Sequence, residues 1–247
     1  MPTETAAQEP CFLRSERSSA FRRFCERVYG KMLNQYGTAD MEQLALLLRV
    51  LQLRPGMRVL DAGCGSGATT RYLAEVTGAG FIGVDKSEAA IARALESIPG
   101  NPDRLDFCVG DLDALDFPSG SFDAIIAIEA LYFPKDLAAT IGQFKALLRP
   151  EGQMGLFFTH LGAAPAGPAE TKLGQALLAN GLVYHARDLT ESDRRFWKRA
   201  QDAADELQRE FEAEGNSDLM HLSETAAVLD LIRNGGHARY LYHVRLQ

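Results

Sequence analysis

Nine consecutive residues, Val59-Leu60-Asp61-Ala62-Gly63-Cys64-Gly65-Ser66-Gly67, constrain this chain more than any others. They begin as a short apolar strand and end as a loop with glycine at alternate positions. A helix-forming stretch, residues 68–76, follows. A buried strand that runs through a glycine loop into a helix is the ligand-binding turn of an open α/β sheet. Glycine lets the backbone approach a ligand where a Cβ would collide. The helix N-terminus beyond offers unpaired N–H groups to a negative group. A dinucleotide fingerprint needs a further glycine three residues after the second of its pair. That position is Thr70 here.

The chain continues in the same α/β rhythm. Phe81-Ile82-Gly83-Val84-Asp85 reads as a second strand ending in an acid, followed by Lys86. Asp85 lies 22 residues after Gly63, close to the spacing of about 20 at which such an acid meets a ribose hydroxyl. The alternative for Asp85 is a carboxylate at a helix N-terminus near Ser87. Residues 105–109 read as a third strand, leading to Gly110-Asp111-Leu112, and residues 124–129 as a fourth. Phe157-Phe158-Thr159-His160 closes a fifth, and residues 182–186 and 237–246 read as the sixth and seventh.

The D-x-G-x-G-x-G loop resembles motif I of the class I S-adenosylmethionine (SAM) methyltransferases. Phe117-Pro118-Ser119-Gly120-Ser121-Phe122-Asp123 is similar to that family's lead into strand four. Leu147-Leu148-Arg149-Pro150-Glu151-Gly152 is similar to its turn before strand five, with Glu151 where the family has glycine. The resemblance covers residues 55–160 closely. It implies a seven-stranded, mostly parallel, doubly wound α/β sheet with SAM as cofactor and no metal. It also implies that Asp61, Gly63, Cys64, Gly65 and Gly67 form the SAM loop, with Asp85 and Lys86 beside the ribose. Asp111 would meet the adenine amino group and the Leu112 backbone the ring. Cys64 reads as a small side chain under the loop, not a nucleophile. Within the family the similarity is to bacterial small-molecule enzymes of the ubiquinone/menaquinone C-methyltransferase and glycine/sarcosine N-methyltransferase type.

Composition fits one soluble α/β domain. The chain has 247 residues, 46% of them hydrophobic, and a net charge of −7, ample for a single core. No stretch is dense in Lys and Arg, so nucleic acid is not expected as a partner. No apolar run reaches the roughly 18 residues of a membrane span, and residues 1–10 lack the pattern of a signal peptide. Four scattered cysteines without C-x-x-C spacing suit a reducing, cytoplasmic setting. A homodimer is allowed.

Residues 1–15 read as a flexible tail and 17–54 as helices. Phe21, Phe24, Cys25, Val28, Tyr29 and Met32 recur at helical spacing after Ser18 or Ser19 as cap. Asp40 and Gln43 read as a capping box before Leu44, Leu47, Leu48 and Leu51. Residues 171–180 read as a helix closed by Gly181. Family members close helices over the cleft, which makes Tyr29 and Tyr36 either lid residues, Tyr36 beside the cofactor, or packing. Between strands six and seven, residues 190–236 form a helical insertion far longer than an ordinary connector. It reads as a substrate cover, its last helix capped by Ser223. Trp197 and His221 are then pocket residues or, alternatively, core packing and a surface loop.

Ligands bind at the carboxyl ends of the strands, which selects Glu129, Tyr132 and His160 as catalytic candidates. Glu129 ends an apolar strand and must face the cleft or be buried at a cost. It is a proton acceptor, a cation partner, or a carboxylate that orders the loop. His160 is a general base near neutral pH or a hydrogen-bonded strand end. The expectation is methyl transfer to C, N or O of a small molecule. The alternatives are an inactive SAM-binding regulator or scaffold, and a protein methyltransferase with an open groove.

Overall fold

The computed structural model describes residues 11–33, 37–98, 104–220 and 222–247. Seven strands form one sheet: β1 (Arg58–Ala62), β2 (Gly80–Asp85), β3 (Leu105–Val109), β4 (Phe122–Ala127), β5 (Leu148–Leu161), β6 (Tyr184–Asp188) and β7 (His237–Arg245). Their order is β3-β2-β1-β4-β5-β7-β6. The first five strands of that order are parallel, and β7 runs antiparallel to both neighbours. This is the seven-stranded, doubly wound α/β sheet that the family resemblance implies.

Alternation along each strand divides the core into two layers. Leu60, Ile125, Leu156, Tyr240 and Tyr242 face α6 (Leu137–Leu147) and α7 (Lys172–Ala179). Val59, Ile126, Phe157 and Leu241 face α3 (Met41–Leu51), α4 (Ala68–Thr77) and α5 (Glu88–Glu96). With both faces covered, the central strands read as nearly unbroken apolar runs.

A third cluster lies off the sheet. α2 (Ser19–Tyr29) packs Phe21, Phe24, Cys25 and Val28 against Phe196, Ala200, Ala204, Leu207 and Phe211 of α8 (Thr190–Ala213). Charges reinforce the pairing. Arg23 and Arg27 of α2 reach Glu210 and Glu206 of α8. Arg199 Nη2 lies 2.6 Å from Asp40 Oδ2 at the head of α3. Glu214 accepts from the Ser19 hydroxyl at 2.6 Å and from the Ser19 and Ala20 amides at 3.1 Å, and also binds the Ser18 hydroxyl. An acid at the end of α8 thus caps the first turn of α2, where a negative charge suits the helix dipole. The insertion and the N-terminal helices form one unit.

Several boundaries differ from expectation. Residues 11–15, expected in a tail, belong to α1 (Cys11–Arg17). Ser18 caps α2, which Gly30 ends in a left-handed turn before Met32. Asp40 caps α3 as expected, but Gln43 does not close a capping box; its Oε1 accepts from Arg239 at 2.9 Å. β4 stops at Ala127, two residues short of Glu129, and Glu129 has φ of 58°. Ser223 lies inside α9 (Leu222–Arg233) instead of before it. Among the described residues, no helix is long and apolar enough to cross a membrane.

Candidate active site

A cavity of about 450 Å³ opens at the carboxyl ends of β1, β2 and β4, within the usual size of small-molecule sites. The glycine loop, Asp85, Ser87, Ile128 and Glu129 form one side. Leu33, Gly37 and Ala39, which precede α3, and Leu44 within it also line the cavity, as does Phe133. Phe133 is 68% exposed, with the Lys86 ammonium 5.3 Å from its ring centre.

The loop is held from beneath. The amides of Gly63 and Cys64 donate to Val84 O at 2.7 and 3.0 Å. Gly63 has φ of 85°, and a Cβ there would meet the Ala130 Cβ at 2.2 Å. At Gly65 a Cβ would meet nothing within 4 Å, because this glycine borders the cavity itself. The Gly65 amide donates to Asp85 Oδ2 at 2.9 Å, and the Ser87 amide donates to Asp85 Oδ1 at 2.9 Å. Asp85 thus braces the turn into α5, whose cap is Ser87, and lines the cavity.

Asp61 lies beneath the loop, almost fully buried, and accepts the Thr70 hydroxyl at 2.6 Å. Burial pushes its carboxyl up to about 6 against the pull of that hydrogen bond, with the Asp85 charge adding to the rise. Burial, together with the charges of Asp61 and Asp85, also raises the Cys64 thiol. The thiol stays protonated, as a packing residue should.

The donor set fits SAM. The charged side chains lining the cavity are Asp61, Asp85 and Glu129, with no Lys or Arg among the described lining residues. A dinucleotide pyrophosphate would find no cationic side chain there, and the third glycine of its fingerprint is Thr70. A cationic sulfonium and an amino group need none, and the Asp85 carboxylate suits a ribose diol.

Glu129 sits at the far wall. Its Oε1 lies 2.5 Å from Arg239 Nη2 and 3.3 Å from the Thr38 hydroxyl, and its Oε2 accepts from the Tyr132 hydroxyl at 3.1 Å. Although Tyr132 is 42% exposed, its hydroxyl points inward and accepts the Thr159 amide at 2.7 Å. Burial of that hydroxyl, then the Glu129 charge, raise its pKa.

The chain matches known proteins through this half of the molecule. The family model described as "Methyltransferase domain" matches residues 59–152. A sterol 24-C-methyltransferase of Gibberella zeae is 33% identical over 136 residues, 54% of this chain and 35% of that protein. Phosphoethanolamine N-methyltransferase 3 of Arabidopsis thaliana is 30% identical over 138 residues, 56% of this chain and 28% of that protein. Over residues 59–152 the chain is thus similar to a methyltransferase domain. The solved structure of a mycolic acid cyclopropane synthase, complexed with S-adenosylhomocysteine and CTAB, shares the fold. Its TM-score is 0.71 at 17% identity, covering 96% of this chain and 98% of that one. This chain spans about a third of the length of the curated relatives it matches.

The cavity does not gather every residue singled out from the sequence. Asp61, Gly63, Cys64, Gly65, Asp85 and Glu129 line the cavity. Gly67 precedes α4. Asp111 and Leu112 lie one step beyond Gly110, whose amide donates to Asp85 O at 3.0 Å, and are not among the lining residues. His160 stands away from the lining, with Nε2 3.1 Å from Ala164 O. Tyr29 is buried against Phe196, and Trp197 donates to Asp193 Oδ2 at 3.1 Å. Both pack in the α2–α8 unit. Tyr36 and His221 lie outside the described residues.

Sequence reasoning missed the groups behind Glu129. Arg239, Asp193 and His237 are buried, and His237 Nε2 lies 2.7 Å from Asp193 Oδ2. A signal was present. Arg239 alternates with the apolar positions Ala238 and Tyr240 and shares a strand face with buried Leu241. Asp193 heads the apolar stripe Phe196, Ala200, Ala203 and Leu207. A charge in such a position requires a partner.

Proposed function

We propose that this protein transfers the methyl group of SAM to a small molecule. One observation carries the reading: the glycine loop and Asp85 border a cavity whose lining charges are all acidic. When bound, SAM would supply an electrophilic methyl group on a sulfonium, open to in-line attack by an acceptor atom with S-adenosylhomocysteine as the leaving thioether. The loop amides and Asp85 orient the cofactor, with Asp111 and Leu112 beyond them at the adenine. The apolar residues Leu33, Ala39, Leu44 and Ile128 exclude water from the reacting end. The α2–α8 unit stands behind this wall as a standing cover over the substrate side. Relatives that carry the names of sterol and phosphoethanolamine methyltransferases support a small acceptor.

None of the three catalytic candidates read from the sequence, Glu129, Tyr132 and His160, is free to act as a strong base. Both Glu129 oxygens are engaged, the Tyr132 hydroxyl is held protonated, and His160 points elsewhere. Proximity and alignment then carry the rate, contributing roughly 7–11 kcal/mol where the geometry is good. The test has two stages. Calorimetry should show SAM binding and no NAD binding. Incubation of the protein with metabolite extracts and methyl-labelled SAM should then label a low-molecular-weight product. Tight NAD binding without SAM binding overturns the cofactor assignment. Label transferred only to proteins overturns the small acceptor.

A further inference from the structure

We propose that Arg239 is a positioning residue: it fixes the Glu129 carboxylate against the cavity wall, and Asp193 at the head of α8 supplies a second counter-charge to Arg239. The inference rests on the proposed function only for what Glu129 faces.

The guanidinium is enclosed by four segments of the chain. Glu129 comes from the connection after β4, with Oε1 at 2.5 Å from Nη2. Nη1 donates to the Thr159 hydroxyl of β5 at 2.7 Å. Nε donates to Gln43 Oε1 of α3 at 2.9 Å and lies 3.4 Å from Asp193 Oδ1 of α8. The Phe157 ring centre lies 5.2 Å from the guanidinium carbon. Arg239 is 0% exposed, so it has no solvent to turn toward. Burial opposes its charge, but Glu129 and Asp193 more than offset that and hold it cationic.

Arg239 is the one cation the described residues place on Glu129. The Glu129 backbone is left-handed, which a non-glycine residue adopts only when its surroundings compel it. Its side chain presses on Gly37, where a Cβ would meet Glu129 Cγ at 2.3 Å. A planar guanidinium fork supplies direction that a point charge does not. The Thr38 and Tyr132 hydroxyls complete the clamp. The carboxylate is thereby a fixed acceptor in the cavity wall. Asp193 does not line the cavity, yet it touches the group that does the holding. It is itself bound by His237 and Trp197. The helical insertion and the cofactor site thus share one buried network.

A double-mutant cycle tests the proposal. Arg239→Met should weaken SAM binding by about tenfold or more, as loss of one partner in a buried charge pair does. In a Glu129→Gln background the same change should alter affinity by less than about twofold. Arg239→Lys, which keeps the charge and loses the fork, should fall between. Equal losses in both backgrounds would overturn the proposal. If Arg239→Met does not fold, Arg239→Met/Asp193→Asn, which removes one buried cation and one buried anion together, takes its place in the cycle. Should the parent bind no SAM, the proposed function fails, and a ligand-free crystal structure of the Arg239 variant decides this point. A Glu129 carboxylate turned from its present place supports the positioning role; one left unmoved sinks it.

Discussion

The Gly65 amide donates to Asp85 Oδ2 at 2.9 Å, joining two residues that lie 20 apart in the chain at adjacent strand ends. This bond ties the glycine loop to the acid that would hold a ribose. Asp85→Ala removes the loop anchor and the ribose partner together. With one or two charge-assisted hydrogen bonds lost at about 1.5–3 kcal/mol each, SAM affinity should fall by about tenfold to a hundredfold or more. Calorimetry on the folded variant is the check, and an unchanged affinity refutes the assignment.

His160 should not be the base. It is not among the described residues that line the cavity, and its Nε2 is turned to Ala164 O at 3.1 Å. His160→Ala should keep turnover within about threefold, against the roughly 10²–10⁴ expected when a general base is lost. Steady-state kinetics with an identified acceptor decides between these.

The α2–α8 unit should be ordered before any ligand arrives. Its apolar faces are already buried against each other. Amides of residues 196–211 should exchange slowly in the free protein and change little when SAM is added. Fast exchange that slows only with ligand would instead mark a cover assembled on binding.

Glu214 makes that unit sensitive to acid. Burial works against its charge, but hydrogen bonds from Ser18, Ser19 and the Ala20 amide outweigh it and lower the carboxyl to about 2. A folded-state pKa below the unfolded value gives stability that is full above the unfolded pKa, about 4.3, and is lost as pH falls toward 2. Glu214→Gln should therefore melt below the parent at neutral pH, with the gap closing between about pH 4.5 and 2. A gap constant with pH would remove the charge from the explanation.

Glu151 has φ of 61°, in the left-handed region, at the position where the resembled turn has glycine. The residue shapes the register shift by which β4 pairs Phe122 with Leu148 but Ala124 with Gln153. Its contact with Arg245 is 3.8 Å long and exposed, so it contributes little. Glu151→Gly relieves about 1 kcal/mol of backbone strain, and the melting temperature should rise by about 2–4 °C. Calorimetric melting of the two proteins tests this, and an unchanged or lower value contradicts the strain.

The sheet was legible in the chain because strand faces and helix stripes are local periodicities. Val59 to Gly67 announces a strand, a loop and a helix within a few residues, and Asp85 follows at a distance set by one α/β unit. The caps Ser18 and Asp40 were legible for the same reason. What Gln43, Glu129 and Arg239 do was not. Gln43 sits three residues after a helix cap, where local rules send its side chain back to the backbone, yet it turns to a strand 196 residues away. Glu129 stood open to three roles until Arg239 proved to be its partner. Arg239 and Asp193 each broke an apolar pattern in the sequence, which marks a buried charge but not its counter-charge. Pairing of buried charges is decided by which elements the fold brings side by side, here β7, α8 and the end of β4, and no periodicity along the chain encodes that meeting.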